Sequence, residues 1–353
     1  MRSHLYDDPP TTRSGHARRC LLVATACLAA ACGGEEPQGP PGEDPDGLGL
    51  LVGIEADPAR FRSTGEFAIS LVPLSAEGER LTGETWSVSL ALEAPAGASL
   101  AMLSQARRPA DTMPAATLLL IDNSGSMRFS DPDRYRAQAA QLFWTEVLGG
   151  RPGNLVALAD FGGGEPTDEF EHSRLLHGFT SDPAALAAQI DRIQAVGGFG
   201  TPLHGSALEL MRWMDERVPG SGYRRSIVLM TDGEPGDGGA AREALVSQSR
   251  AAGIPVITVG LGAASSDGAR TSEVAVGLLV DLASATGGVY AGASTDSRLR
   301  PVLQALGRES TQEQLLATVR ISPVPAAGVV LRGRVVLDGV PGSVEGRWAL
   351  VGP

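Results

Sequence analysis

Short apolar runs alternate with amphipathic stretches through the middle of the chain. The runs predict strands at residues 116–121, 154–161, 226–231, 254–259 and 289–290, with a short edge strand at 173–178. Apolar positions at helical spacing predict helices over residues 131–148, 181–193, 203–217, 239–252, 273–286 and 296–306. Strands that alternate with helices form βαβ units. The pattern therefore predicts an α/β fold with a doubly wound, mostly parallel sheet.

Alternating apolar and polar residues, typical of half-buried strands, flank this region on both sides. They occur in residues 48–110, most clearly at 85–93, and again in residues 310–353. Each segment alone buries little core, but together they have the roughly 100 residues of an immunoglobulin-like sandwich. We therefore predict that the two segments pair into one β-sandwich, with the α/β region inserted between its strands. The alternative is a small N-terminal sandwich and a separate C-terminal hairpin.

The N-terminal residues predict export from the cytoplasm. Residues 1–31 contain four Arg and end in an apolar stretch that is too short to span a bilayer comfortably, as in a signal peptide. Cys32 follows Ala-Ala-Ala and precedes Gly-Gly, and this junction resembles the bacterial lipobox, in which the Cys is lipidated and becomes the first residue. Ala29 stands where Leu is usual in that motif. Ordinary signal-peptidase cleavage after Ala31 is the alternative.

The segment after Cys32 has the composition of a flexible tether. Residues 33–47 are rich in Gly, Pro, Glu and Asp and contain no apolar side chain. We therefore expect residues 32–47 to be a lipid-anchored tether that holds the protein on a membrane. Gly33 stands where enteric bacteria place the Asp that signals retention in the inner membrane. The expected location is thus the cell envelope, on the outer membrane.

Composition excludes several classes of protein. All three Cys lie at or before residue 32, so the exported chain is expected to have no internal disulfide. All 29 basic residues are Arg, and the absence of Lys excludes a P-loop or a Schiff-base enzyme. The formal net charge is −12, and the four Arg and two Asp of residues 1–31 leave −14 for the rest. Such an acidic surface disfavours nucleic acid and anionic lipid headgroups, but not a divalent cation.

The clearest chemical signal lies at the end of the first predicted strand of the α/β region. Asp122, Ser124 and Ser126 follow it at a spacing of two. Carboxylates and hydroxyls are hard oxygen ligands that suit Mg²⁺, Mn²⁺ or Ca²⁺. Open α/β sheets bind ligands outside the carboxyl ends of their strands. The same short polar residues also occur in ordinary turns, so this motif alone leaves both interpretations open.

Two later segments supply further oxygen ligands in a consistent order. Thr201-Pro202 ends a Gly-rich loop, and Asp232 follows the apolar run at 226–231. Pro202 fits the first position of the next helix, so we expect Thr201 to be the N-cap, and capping could be its whole role. Taken together, the D-x-S-x-S motif, the Thr and the Asp resemble the metal-ion-dependent adhesion site of the von Willebrand factor type A (integrin inserted) domain. All five positions of that site are present.

The resemblance covers roughly residues 116–308, and we assign residues 111–309 to this domain. It implies that Ser124, Ser126 and Thr201 offer hydroxyls to the ion, while Asp122 and Asp232 bind it directly or through water. Three small hydroxyls favour a tight shell and hence Mg²⁺, with Mn²⁺ or Ca²⁺ as alternatives. The resemblance also implies a protein partner, whose acidic residue completes the shell.

These inferences predict a cell-envelope lipoprotein that binds a protein partner through a divalent ion and is not an enzyme. The chain contains no HExxH, no G-x-S-x-G and no paired His ligands. One alternative is a structural envelope lipoprotein whose metal only stabilises the loops. A metal-assisted hydrolase is a further alternative, for which no general base is identifiable.

Four more polar residues lie near the expected site, and we do not expect them to bind the ion. We interpret His204, on the helix after Thr201, as structural, and Asp160 as a residue of a turn. Glu234 and Asp237 are expected to be solvated acids at the rim of the site.

Overall fold

The computed structural model describes residues 49–352, apart from 57, 75–80, 82–84, 110–111, 163–168, 194–199, 234, 265–271, 294–302, 304–305, 307–313 and 341. The predicted signal peptide, the lipidation site Cys32 and the tether lie outside the described residues. Within the described part of the chain, no helix has the length and apolar character needed to cross a membrane.

The described strands, in chain order, are β1 Gly49–Glu55, β2 Glu66–Leu74, β3 Ser87–Ala94, β4 Ser99–Arg108, β5 Ala115–Asp122, β6 Leu155–Phe161, β7 Ser173–Thr180, β8 Arg224–Thr231, β9 Val256–Leu261, β10 Tyr290–Ala293, β11 Gln314–Ser322, β12 Val330–Gly339 and β13 Gly342–Val351. The α-helices are α1 Pro58–Thr64, α2 Met127–Ser130, α3 Tyr135–Gly150, α4 Pro183–Ala187, α5 Leu203–Arg217, α6 Gly239–Ala252 and α7 Glu273–Thr286. Short 3₁₀ turns lie at Ile190–Arg192 and Gly262–Ala264.

The central sheet has six strands in the order β10-β9-β8-β5-β6-β7. All neighbours are parallel except β7, which pairs antiparallel with β6 at the edge. Every residue of β5 is buried, because helices cover both faces of the sheet. Leu118 and Leu120 face a core shared with α5, α6 and α7, whereas Leu119 and Ile121 face one shared with α3 and α4. The predicted doubly wound, mostly parallel α/β sheet is confirmed.

Most predicted helices match the structure, and two differ in extent. The helix expected over 131–148 begins at Tyr135, because the Asp131 carboxylate accepts a hydrogen bond from the Tyr135 amide at 2.7 Å and so caps α3 from outside. The helix expected over 181–193 ends at Ala187 and continues only as a 3₁₀ turn. Of the helix expected over 296–306, only Leu303 and Leu306 are described, and both are helical.

The two flanking segments pair with each other, as predicted. In the four-stranded sheet, of order β1-β2-β11-β4, the C-terminal strand β11 lies between the N-terminal strands β2 and β4. In the three-stranded sheet, of order β13-β12-β3, the C-terminal β12 pairs with the N-terminal β3. The alternative of a separate C-terminal hairpin is therefore wrong.

Side-chain contacts join the same two segments. The rings of Phe67 in β2 and Trp348 in β13 lie 5.5 Å apart between the two sheets, and both residues are buried. Arg320 of β11 and Arg60 of α1 both form ion pairs with Glu66 of β2. Residues about 250 positions apart in sequence thus share one core.

Candidate metal-binding site

The sequence motif lies where the order of the central sheet reverses. Asp122 ends β5 and Thr231 ends β8, and these two strands are hydrogen-bonded neighbours. From β5 the chain continues to β6 on one side, whereas β8 lies on the other side. The loops that leave such a pair of strands diverge and open a crevice at their carboxyl ends. The predicted position of the site is therefore the position at which this fold places ligands.

Oxygen atoms from both loops converge in this crevice. The hydroxyl oxygens of Ser124 and Ser126 lie 3.0 Å apart, and Ser126 Oγ donates a hydrogen bond of 2.8 Å to Asp232 Oδ1. Ser130 Oγ donates to the other oxygen of Asp232. The loop after β5 is thereby tied directly to the loop after β8.

Asp122 is the most deeply buried group of the site. It is fully buried, and its Oδ1 accepts a hydrogen bond from the Ser124 amide at 2.7 Å. Its Oδ2 accepts one from Thr231 Oγ1 at 2.6 Å. Burial raises the pKa of Asp122 to about 6, aided by the nearby charge of Asp232 and opposed by the hydrogen bonds from Ser124 and Thr231. A buried carboxylate of this kind gains from a cation that stabilises its charge.

The backbone of Thr201 is tied to the loop that follows Asp232. Helix α5 begins at Leu203, and Pro202 occupies its N-cap position without a side-chain cap. The expectation that Thr201 is the N-cap is therefore wrong, and its hydroxyl is not used for capping. The carbonyl oxygen of Thr201 instead accepts a hydrogen bond of 2.8 Å from the amide of Gly236, in the loop that follows Asp232. A Cβ atom at Gly236 would lie 3.1 Å from the Thr201 nitrogen, so the close approach favours glycine.

His204 and Asp237 form a second link between these loops. His204 Nδ1 lies 2.9 Å from Asp237 Oδ1, and the Gly205 amide donates to Asp237 Oδ2 at 2.6 Å. His204 is buried, and the Asp237 side chain is 18% exposed. Burial raises the pKa of Asp237, but the hydrogen bonds from His204 and Gly205 outweigh it, and the net shift is downward. The expectation of a solvated rim acid at Asp237 is wrong, and His204, which was expected to be structural, is buried and bonded to Asp237. Glu234 lies outside the described residues.

A network of buried polar side chains holds the loop that follows β5. Asn123, between the first two site residues, donates to Asp160 Oδ2 at 2.7 Å. Asp160 is buried and forms a 2.5 Å ion pair with Arg174. On the other side, the guanidinium of the fully buried Arg136 donates to Asn123 Oδ1 and pairs with Asp131 at 2.5 Å. The turn role expected for Asp160 is thus replaced by a buried ion pair that fixes the loop.

Gly162 allows the end of β6 to pack against the same loop. Its φ of +74° lies in the left-handed region, and a Cβ atom there would come within 3.0 Å of the Ser124 backbone. The Asn123 amide also donates to the Phe161 carbonyl at 2.8 Å. Together these contacts hold the backbone of Ser124 in one position.

The donor set fits a small divalent cation. Cis ligands of an octahedral Mg²⁺ ion, at 2.0–2.1 Å from the metal, are about 2.9 Å apart. Ser126 Oγ lies 3.0 Å from Ser124 Oγ and 2.8 Å from Asp232 Oδ1, close to this separation of neighbouring ligands. Among the described residues, no three His, Cys, Asp or Glu side chains gather as metal ligands. The proposed ligands of the ion include only two carboxylates, those of Asp122 and Asp232, and the other protein ligands are hydroxyls.

Residues 117–234, about a third of the chain, match the family model of the von Willebrand factor type A domain. The match contains most of β5, all of β6, β7 and β8, and all five residues of the proposed site. No curated protein matches the chain.

Similar solved structures have low identity to this chain. They include a von Willebrand factor type A protein from Catenulispora acidiphila (15% identity, covering 77% of this chain and 75% of that chain, TM-score 0.44). They also include an aerotolerance-related membrane protein from Bacteroides fragilis (21% identity, covering 56% of this chain and 98% of that chain, TM-score 0.41). A third is the pilus adhesin SpaC from Lactobacillus rhamnosus GG (13% identity, covering 88% of this chain and 49% of that chain, TM-score 0.41). The fold assignment therefore rests on the strand order and on the family match.

Sequence reasoning did not identify three residues that contact the site. Thr231 and Ser130 donate hydrogen bonds to the two site carboxylates, and Asn123 joins the loop to its buried support. A signal for Thr231 exists, since it ends the strand that pairs with β5 and immediately precedes Asp232. No local pattern distinguishes Ser130 from a surface serine.

Proposed function

We propose that this chain is a cell-envelope lipoprotein that binds an acidic residue of a protein partner through a divalent ion. The observation that carries the proposal is the convergence of the Ser124, Ser126 and Asp232 oxygens, with the buried carboxylate of Asp122 beside them. Thr201 supplies a further hydroxyl from a loop hydrogen-bonded to that of Asp232.

The chemistry of this donor set favours binding over catalysis. Two carboxylates balance the charge of a divalent ion, and neutral hydroxyls and waters fill the other positions. When bound, the ion supplies an electrophilic position that a carboxylate from another molecule can complete. The hydroxyls of Ser126 and Ser130 donate to Asp232, a proposed metal ligand, and His204 Nδ1 contacts Asp237 rather than a hydroxyl of the site. We therefore propose a non-enzymatic role, with Mg²⁺ as the preferred ion over Mn²⁺ or Ca²⁺.

The proposed location rests on the sequence of residues 1–47. An apolar leader, Cys32 and a polar tether support a lipid anchor, with the folded part held outside the cytoplasm on the outer membrane. The net charge of −12 opposes binding to nucleic acid.

Affinity capture from envelope extract tests the proposal. The full chain is immobilised, and proteins retained in Mg²⁺ are compared with those retained in chelator. We expect a partner that is captured in Mg²⁺, released by chelator and lost with Asp122→Ala. Capture that is indifferent to both treatments would refute the proposal. If Mg²⁺ raises thermal stability while no acidic partner or peptide competes for the ion, the metal only stabilises the loops.

A further inference from the structure

Beside the site, the short helix α2 presents an unusually exposed aromatic side chain. Phe129 is 88% exposed, and it is the one exposed aromatic among the residues that the structure describes. An exposed Phe leaves an apolar surface in water, at a cost that burial against a partner would recover. Aromatic and Arg side chains are also the residues that most often anchor protein interfaces.

The backbone that carries Phe129 is fixed relative to the site. Its amide donates to the Ser126 carbonyl at 2.8 Å, and Met127, two residues earlier in the same helix, is fully buried. The following Ser130 donates from its hydroxyl to the carboxylate of Asp232. The position of Phe129 is thus set by contacts with two of the proposed ligands, whereas its side chain has no such constraint.

Arg128 precedes Phe129 in α2. Arg128 is exposed, and none of the described acids forms an ion pair with it. The chain as a whole is acidic, with a net charge of −12, so an acidic ligand approaches against an unfavourable field. Two residues after the proposed ligand Ser126, Arg128 supplies a positive charge. Charge complementarity therefore favours a ligand with more than one acidic group.

We propose that Phe129 and Arg128 form a docking surface for a protein segment in which an apolar side chain lies close to the acidic residue that completes the metal shell. The inference rests on the proposed function and specifies its partner. Residues three apart on a helical turn lie about 5–6 Å apart, and an extended chain advances about 3.3 Å per residue. The apolar side chain of the partner therefore lies one or two positions from its metal-binding acid, and a second acid nearby contacts Arg128.

Synthetic peptides of equal length test the inference against the full chain. The first peptide carries a Glu with Leu at one and two positions from it. The second carries a Glu with Ser at the same positions, and the third carries a Gln with Leu at those positions. A fourth adds a second Glu to the first. Binding is measured by fluorescence anisotropy in Mg²⁺ and in chelator. In Mg²⁺ we expect the Leu-flanked Glu peptide to bind about tenfold or more tightly than the Ser-flanked one, and the Gln peptide not to bind.

The variants separate this inference from the proposed function. In Phe129→Ser, the affinity for the Leu-flanked Glu peptide is expected to fall to the affinity for the Ser-flanked peptide. The affinity for the Ser-flanked peptide should stay unchanged. Arg128→Ser is expected to remove the advantage of the second Glu. Val340→Ser is the matched control, because Val340 is also 88% exposed but lies in the turn between β12 and β13, and it should change neither.

Two results would overturn the inference. If Glu peptides bind only in Mg²⁺ but show no preference for Leu, or keep that preference in Phe129→Ser, the docking surface is wrong and the proposed function stands. If no carboxylate peptide binds in Mg²⁺, both fail together.

Discussion

His204 Nδ1 lies 2.9 Å from Asp237 Oδ1, and this contact joins the helix that follows Thr201 to the loop that follows Asp232. The two loops carry proposed ligands of one ion but are not adjacent in the chain. Together with the hydrogen bond between Gly236 and Thr201, the pair holds them in a fixed relation.

Asp237→Asn tests whether this pair positions Thr201. Residues that orient metal ligands typically change metal affinity by about tenfold or more. We expect Asp237→Asn to weaken Mg²⁺ binding by about tenfold, measured by isothermal titration calorimetry. Asp281→Asn is the control, because it removes an ion pair between α6 and α7, with Arg242, and touches neither loop. Equal Mg²⁺ affinity in the two variants would show that the pair does not position Thr201.

Asp122→Asn tests the metal site itself. A ligand that binds only the folded state at 100 times its Kd stabilises that state by about 2.7 kcal/mol. We expect Mg²⁺ to raise the melting temperature of the wild type and to leave that of Asp122→Asn unchanged. Asp133→Asn, which changes an exposed acid nearby, should retain the shift. A shift of wild-type size in Asp122→Asn would exclude Asp122 from the site.

The raised pKa of Asp122 predicts a pH dependence of the metal-free protein. Burial raises this pKa from 3.8 to about 6, so between these values the folded state binds the proton more tightly than the unfolded state does. Relative to Asp122→Asn, the wild type should lose about 2 kcal/mol of unfolding free energy as the pH rises from 4 to 6, and only a small further amount above pH 6. Urea denaturation in chelator at several pH values measures this difference. A difference between the two proteins that is constant with pH would contradict it.

Asp160→Ala tests the buried network behind the loop. The change leaves Arg174 and the buried Asn123 without the carboxylate that they share. Removing one partner from a buried ion pair costs about 3 kcal/mol of unfolding free energy or more. Asp191→Ala, at an exposed acid of the nearby 3₁₀ turn, should change stability by less than about 0.5 kcal/mol. Equal denaturation midpoints for the two variants would argue against a supporting role.

Trp348→Ala tests whether the flanking segments fold as one unit. Truncating a fully buried Trp costs about 3–5 kcal/mol. Because its ring packs on Phe67, we expect faster amide hydrogen exchange in β2 and β3 as well as in β12 and β13. Val340→Ser should leave exchange in these strands unchanged. Faster exchange confined to β12 and β13 would indicate that the segments unfold separately.

The local sequence pattern was sufficient to predict most helices and strands. It failed where contacts between distant parts of the chain determine the position of a residue. Helices α5, α6 and α7 have their predicted limits, because their apolar spacing is set within each helix. The N-cap expected at Thr201 was wrong, because Pro202 occupies that position, and the Thr201 carbonyl accepts a hydrogen bond from Gly236, 35 residues later. Asp237 was expected in solvent for the same reason, since nothing near it in sequence indicates its partner His204.

The sequence by itself determined the α/β class, the identity of the five proposed oxygen donors and the β-rich character of the flanking segments. Each of these depends on residue type and short spacing. Tertiary structure alone decided that β11 lies between β2 and β4, and that Ser126 and Asp232 meet at 2.8 Å. It also decided that Phe129 stands exposed beside them. These relations join residues that the chain separates, and only packing of the whole fold brings the Asp122-Asn-Ser-Gly-Ser126 motif and its distant partners into one site.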